Sequence, residues 1–375
     1  MQHRANAESV RVCAVCFRHL GGLRAQILRL LGPDAEGVDV PEVLPYEAEG
    51  FRACPEPVPC RQACGEAFCS EACEARAWEG WHELLCPAAA GGSREQEAFE
   101  AHAAGTNEAF LMAARACALA CQAYSRNGGD WAAAWAPLAH FERPLWWEAV
   151  SLAGQGGERG RAQMRAVLEE SWGLLRALIL ARRPALASSP LLADTGGKAA
   201  ATAGPAAGSA EGPALYAALM GAFERNNMSV AVSSPVEDYF LHVDALEEGD
   251  AKEAAQAVTG PVLDALGERY CLPAEGAGLF PLQALLNHSC EANASFIKRD
   301  EDVDGRVVLT AKRFVPHGEE LVHSYIDEGY PLRDRLEMLE DYGFVCDCAL
   351  CDRERREEGG AGPSAGGAGG SQAQH

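Results

Sequence analysis

Residues 341–351 read DYGFVCDCALC, and the tetrapeptide Asn287-His288-Ser289-Cys290 precedes them on the chain. Neither stretch decides much alone. What decides is the ordered set around them: Gly278-Leu279-Phe280-Pro281 leads into the tetrapeptide, Asn293 follows it, GEELVHSYID spans 318–327, and the chain then closes on Cys346-x-Cys348-x2-Cys351. Between these motifs, residues 294–298, 306–311 and 320–326 alternate apolar and polar side chains, the period of half-buried strands. Turn residues Asp304-Gly305 and Pro316-His317-Gly318 separate them. Residues 333–342 predict a closing helix. Upstream, 215–225 and 256–270 predict helices and 229–232 a short strand.

A second group of thiols lies near the start. Cys13-x2-Cys16, Cys60-x3-Cys64, Cys69-x3-Cys73 and His82-x3-Cys86 make four closely spaced pairs. Two or three intervening residues let both members of a pair reach one ion, and soft thiolate and imidazole donors select zinc over calcium or magnesium. The eight ligands suffice for two tetrahedral ions. Cys54 is left over and reads as a non-ligand. Cys117 and Cys121 lie one helical turn apart on an apolar face with no acidic or imidazole partner beside them, so they read as core. Cys271 reads as a structural thiol, and the charged run 352–358 as a solvated face.

The chain has 375 residues, 48% of them hydrophobic, enough for one large core and a smaller satellite. Its 54 acidic against 32 basic residues give a net charge of −22. That disfavours a phosphate-tracking surface, so no sequence-specific nucleic acid is expected, and it suits a basic protein partner. No apolar stretch approaches the roughly 20 residues of a membrane span, and the first residues, MQHRANAESV, lack the apolar core of a signal peptide. An intracellular protein is expected, in the nucleus and/or cytoplasm. Its fifteen cysteines then read as metal ligands rather than disulfides. Residues 98–187 carry Ala and Leu at helical spacing, as in Phe110, Ala114, Cys117 and Cys121. Residues 188–213 are Ala, Gly, Ser and Pro, the composition of a flexible linker, and the Gly-rich 359–375 reads as a disordered tail.

Taken together, the motifs over 215–352 resemble the catalytic half of a SET domain with its post-SET zinc. The cysteines of 13–86, with EAFCSEACEARAWEGWHELLC as the most similar part, resemble a MYND finger. The combination resembles the SET and MYND domain protein lysine methyltransferases. The resemblance implies an α+β, strand-rich SET fold with helical insertions, an inserted two-zinc MYND finger and a post-SET cluster. Its divisions are a remnant of an N-terminal SET segment over 1–12, the finger with a long internal insertion over 13–86, a helical insertion over 98–187, the linker over 188–213, the catalytic domain over 215–342, the post-SET motif over 343–352 and the tail. The family's Gly-rich opening strands and C-terminal helical domain would be missing, as in a short branch.

The same resemblance assigns residues. In the finger the pairs interleave, Cys13, Cys16, Cys69 and Cys73 on one zinc and Cys60, Cys64, His82 and Cys86 on the other. Cys290 joins Cys346, Cys348 and Cys351 on a third. Asn287 and His288 hold S-adenosylmethionine in a knot-like crossing, Phe344 lies against its adenine, and Asn226 adds a contact that the adjacent Asn227 could supply instead. Tyr342 flanks the lysine channel, and Tyr325 is the catalytic residue, orienting the amine. His323 lies on the same strand face as Tyr325 and takes no assigned role. The activity implied is methyl transfer to lysines of a protein substrate such as a histone tail, a chromatin function. The alternative is a catalytically weak adaptor whose finger recruits proline-rich peptides.

Overall fold

The computed structural model describes residues 1–51, 54, 56–150, 157–193, 212–299, 301–340 and 342–360. The strands among them are short: β1 (Val58–Pro59), β2 (Ala67–Phe68), β3 (Asn227–Val232), β4 (Ala274–Leu279), β5 (Asn287–His288), β6 (Ala294–Ile297), β7 (Val308–Ala311) and β8 (Val322–His323). They pair as β1 with β2, β3 with β4, β5 with β8, and β6 with β7. The fold is α+β. The chain forms two compact units, Met1–Leu285 with Lys298–Val308, and Leu286–Ile297 with Leu309–His375.

In the first unit β3 and β4 form the longest antiparallel ladder, from Asn227 opposite Leu279 to Val232 opposite Ala274. Residues Met1 to His3 add to the other edge of β4, where the Ala277 amide donates to the Met1 carbonyl at 2.8 Å and the His3 amide to that of Glu275 at 3.0 Å. Within the 1–12 segment, then, Met1 to His3 are sheet edge and Arg4–Ser9 is a short helix. The span between Cys16 and Cys60 is not a loose insertion. It contains the helix Leu23–Leu31, whose Leu23, Ile27, Leu30 and Leu31 are buried together with Val230, Val232, Val236, Tyr239 and Val262. Two further helices complete that core, Pro235–Asp244 and Asp250–Leu266, the latter starting earlier than the 256 expected.

Residues 93–188 are mainly helical where they are described, led by Ser93–Gly105, Ala109–Arg126 and Gly157–Arg182. These bury Phe110, Cys117, Cys121, Trp172 and Leu175 against the helix Gly212–Asn226, so Cys117 and Cys121 are core thiols. Phe110 stacks on Tyr216 with 6.0 Å between centroids, and the buried Tyr216 hydroxyl is matched by Ser171 at 2.9 Å. Of the expected linker, 194–211 lies outside the described residues. Its ends are helix and core, since Leu191 and Leu192 are fully buried and Gly212 opens a helix, so compositional reading set its bounds too wide.

Gly221 marks the tightest crossing in this layer. A Cβ built there would lie 1.9 Å from the Pro144 carbonyl oxygen. Backbone cannot give way as a flexible side chain can, so Gly221→Ala should destabilise by roughly 2 to 3 kcal/mol and lower the thermal midpoint by a few degrees. Differential scanning calorimetry would check this, and an unchanged midpoint would contradict the close approach.

The second unit is small. Its apolar cluster consists of Leu332 and Leu339 with Cys290, Cys346 and Cys351. β5 runs parallel to β8, Asn287 opposite Val322 and His288 opposite His323. The strand expected over 320–326 shrinks to these two residues because the chain turns immediately afterwards, Ser324 Oγ donating to the Ile326 carbonyl at 2.7 Å. The helix Leu332–Glu340 follows, and a last helix, Ala349–Gly360, covers the run expected as a solvated face. Of the expected tail, 359–360 end that helix and 361–375 lie outside the described residues. No described helix is long and apolar enough to cross a membrane.

Candidate active site

Three tetrads of ligand atoms converge, each with all four atoms within 4.8 Å of one another: Cys13, Cys16, Cys69 and Cys73; Cys60, Cys64, His82 and Cys86; Cys290, Cys346, Cys348 and Cys351. All twelve expected metal ligands are thus grouped as the resemblance implied, and Cys54 is in none of the tetrads. Around a zinc with Zn–S bonds of about 2.3 Å, tetrahedral geometry sets ligand atoms about 3.8 Å apart. The sulfurs of Cys69 and Cys73 are 3.6 Å apart, those of Cys60 and Cys86 3.9 Å, and those of Cys290 and Cys351 3.6 Å. Burial pushes the Cys64 thiol up to about 12 and Cys346 to about 11, neighbouring sulfurs adding to the effect. Thiols held up in this way lose their protons when a cation is there to share the sulfurs. The donor chemistry, spacing and burial therefore fit zinc at all three. In the second tetrad burial, then the charge of Arg115, holds His82 down to about 4, leaving the neutral imidazole that a metal requires.

The local sequence explains how the ligands are presented. Ser70 caps the helix Glu71–Ala77 by accepting from the Cys73 amide, so Cys69 and Cys73 straddle a helix start. In the second unit Arg335, only 2% exposed, donates to Cys351 Sγ at 3.7 Å and pairs with Glu354. Burial works against its charge, but Glu354 and the cysteine sulfurs outweigh it and hold the guanidinium above its ordinary value. A zinc with four thiolates carries two net negative charges, and Arg335 offsets one of them. Replacing it with Met strands that charge; because Glu354 is partly exposed, the expected cost is roughly 2 to 3 kcal/mol. Chemical denaturation of the zinc-loaded variant would measure it, and a cost near zero would remove Arg335 from the cluster's support.

His288 connects this cluster to the reaction residues. Its Nδ1 accepts from the Tyr325 amide at 3.0 Å, so in the neutral ring Nε2 carries the hydrogen, and Nε2 lies 3.3 Å from Cys290 Sγ. Burial, then the nearby His323, pushes its imidazole down to about 4. Asn287 is more exposed, its amide donating to Glu320 Oε1 at 2.6 Å.

Tyr325 sits among rings. Its centroid is 4.9 Å from His323, 5.0 Å from Tyr342, 5.3 Å from His288 and 6.3 Å from Phe344. Its hydroxyl donates to the Leu286 carbonyl at 2.8 Å, and the Tyr342 hydroxyl reaches the Tyr325 carbonyl at 3.5 Å. Phe344 and Val345 are 37% and 72% exposed, so one side of the aromatic group faces solvent. Four of the expected site residues, Tyr325, His288, Tyr342 and Phe344, therefore share one enclosure.

Asn226 belongs to the first unit and is buried there. Both hydrogens of its amide are committed, to the carbonyls of Glu142 at 2.9 Å and Ala222 at 2.8 Å, whereas the Asn227 side chain is exposed. Sequence reasoning gave no role to Asn293, yet it holds β8 in place. Its amide donates to the Glu320 carbonyl at 2.7 Å and its oxygen accepts from the Val322 amide at 2.9 Å. Its place in the motif order was the only signal. Arg335 gave none, since its partners lie on other segments.

Comparison with known proteins agrees with this geometry. The SET domain family matches residues 176–326, a span that begins before the 215 expected and ends one residue past Tyr325. The histone-lysine N-methyltransferase ATXR2 of Arabidopsis thaliana is 32% identical over 94% of this chain and 83% of its own length. The N-lysine methyltransferase SMYD2-B of Danio rerio is 44% identical over 20% of this chain, and the histone-lysine N-methyltransferase SMYD3 of Mus musculus 36% over 22%. In those two the match covers 17% and 18% of their lengths. The chain belongs to the SET-domain protein lysine methyltransferases, with three Cys and His clusters that fit MYND and post-SET zinc.

Proposed function

We propose that this protein transfers methyl groups from S-adenosylmethionine to the ε-amine of lysine in a basic protein substrate such as a histone tail. The observation that carries the proposal is the aromatic enclosure of Tyr325 by His288, His323, Tyr342 and Phe344, beside the Cys290 tetrad. S-adenosylmethionine would supply a methyl group on a sulfonium. What the chain supplies is orientation and dryness. A free lysine, with a pKa of roughly 10.4, is protonated at neutral pH, and an aromatic channel disfavours that charge. Because the Tyr325 hydroxyl gives its proton to Leu286, its oxygen is an acceptor, the polarity needed to hold an amine N–H. Holding the nitrogen in line with the departing sulfur is the main lever on such a displacement. The cofactor contacts implied for Asn226, Asn287, His288 and Phe344 belong to this reading, as does a nuclear or cytoplasmic location.

A charge of −22 favours encounter with Lys-rich and Arg-rich segments. The test is radiolabelled methyl transfer by the zinc-loaded protein to core histones and to Lys-rich peptides, with calorimetry for S-adenosylmethionine. Incorporation that vanishes when the target lysine becomes arginine supports the proposal. Failure to bind the cofactor at saturating concentration would turn it toward the adaptor reading, in which the finger recruits proline-rich peptides.

A further inference from the structure

A cavity of about 500 Å³ in the first unit is lined by none of the residues assigned to methyl transfer. Its walls bring together Arg4, Arg11, Arg29 and Arg115, against two carboxylates, Glu66 and Glu100. In a chain with 54 acidic and 32 basic residues, this local excess of positive charge reverses the average. The arginines are not spent on carboxylates. Arg11 Nη2 donates to the Gly65 carbonyl at 2.8 Å and Arg29 Nη2 to that of Ala7 at 3.0 Å, so each is docked on backbone by one of its five N–H groups. Arg115 lies over the Trp81 ring, 5.6 Å from its centroid. Among the described residues none of the four guanidiniums is in an ion pair. Glu100 is engaged by Gln96, whose Nε2 donates to it at 2.6 Å.

Burial, then the charge of Arg11, holds the Arg29 guanidinium below its ordinary value; burial does the same to Arg115, with Glu66 opposing. A guanidinium does not lose its proton near neutral pH; Arg4, Arg11 and Arg29 keep their charges on the exposed side of the cavity, where an incoming anion meets them, and Arg115 adds a half-buried one. The guanidinium fork matches the spacing of phosphoryl oxygens.

We propose that this cavity binds a small phosphate-bearing molecule, its phosphoryl oxygens held by Arg11 and Arg29 and its organic part lying against Trp81 and Phe17. Arg29 comes from the helix Leu23–Leu31 and Trp81 from the finger's last ligand helix, so the long span of the finger would serve to complete a ligand site.

Calorimetry of the zinc-loaded protein with inorganic pyrophosphate and with adenosine monophosphate, each against sodium chloride of matched ionic strength, tests this. Saturable binding of either is expected, tighter for adenosine monophosphate if the apolar wall is used and tighter for pyrophosphate if the phosphoryl group acts alone. Arg11→Gln and Arg29→Gln should each weaken binding at least about tenfold, the loss of one charge-assisted hydrogen bond. Zinc content and thermal midpoint serve as folding controls. Where Arg29→Gln fails to fold, Arg4→Gln replaces it, since Arg4 contacts the fold through its backbone amide. The absence of heat from both probes up to about 10 mM, or binding unchanged in the variants, would overturn the proposal.

Discussion

Cys348→Ser should leave two zinc ions per chain where three are expected, and should abolish methyl transfer while the finger keeps its metal. The reason lies in how little else holds the second unit. Its buried apolar cluster holds Leu332 and Leu339 beside three cysteines of the tetrad, and Leu286 and Ala294 add little more. A unit with so small a core depends on its metal, and a structural zinc contributes roughly 10 to 16 kcal/mol to folding at neutral pH. Losing one thiolate leaves three ligands and a site open to water. Phe344 and Val345 immediately precede Cys346, so once the cluster loosens, the ring 5.8 Å from His288 loses its anchor. The finger tetrads use none of these cysteines and belong to the first unit. Mass spectrometry of the native protein would count the ions, alongside a transfer assay. Three bound ions with full activity would show that the closing cysteines do not form a working site.

Tyr325→Phe should keep S-adenosylmethionine affinity within about twofold yet slow methyl transfer by roughly a hundredfold or more, the scale set by losing one preorganised polar group at a reacting centre. The ring stays and so does its packing on His323, Tyr342 and His288. Only the oxygen goes. With it goes the hydrogen bond to Leu286 at 2.8 Å, and with that the acceptor proposed to orient the amine. The loss should fall on turnover rather than on substrate binding, because the contact matters most once the amine is neutral and aligned. Single-turnover kinetics with a lysine peptide, paired with calorimetry, separates these effects. A variant that binds cofactor and turns over normally would move catalysis elsewhere in the enclosure.

The zinc centres were legible because coordination chemistry allows few residue types and few spacings. Cys69-x3-Cys73 and Cys346-x-Cys348-x2-Cys351 announce themselves, whereas which pairs share an ion follows from topology that spacing does not encode, and there the resemblance was needed. The helix Leu23–Leu31 carries its own signal, Leu23, Ile27, Leu30 and Leu31 at helical intervals, although the cysteine pattern around it invites reading the span as an insertion. The strand β4 was hidden for a physical reason. Its sequence, AEGAGL, has little strand propensity, and Gly276 is there because a Cβ would lie 2.2 Å from the Met1 carbonyl and 2.6 Å from Phe17 Cζ. Close approach, not propensity, selects that residue. Asn293 and Arg335 were illegible in role because their partners come from segments brought near only by folding.

The burial of Leu23, Ile27 and Leu31 with Val230, Val236 and Val262 bears on any attempt to handle the zinc finger as a transplantable module. Residues 13–86 expressed alone would carry an orphaned oily ridge and self-associate even with both metals in place. Conversely, a chain from which that ridge is excised would be left with a void beside β3, so finger and strand core would be expected to evolve, and to fail, as one piece.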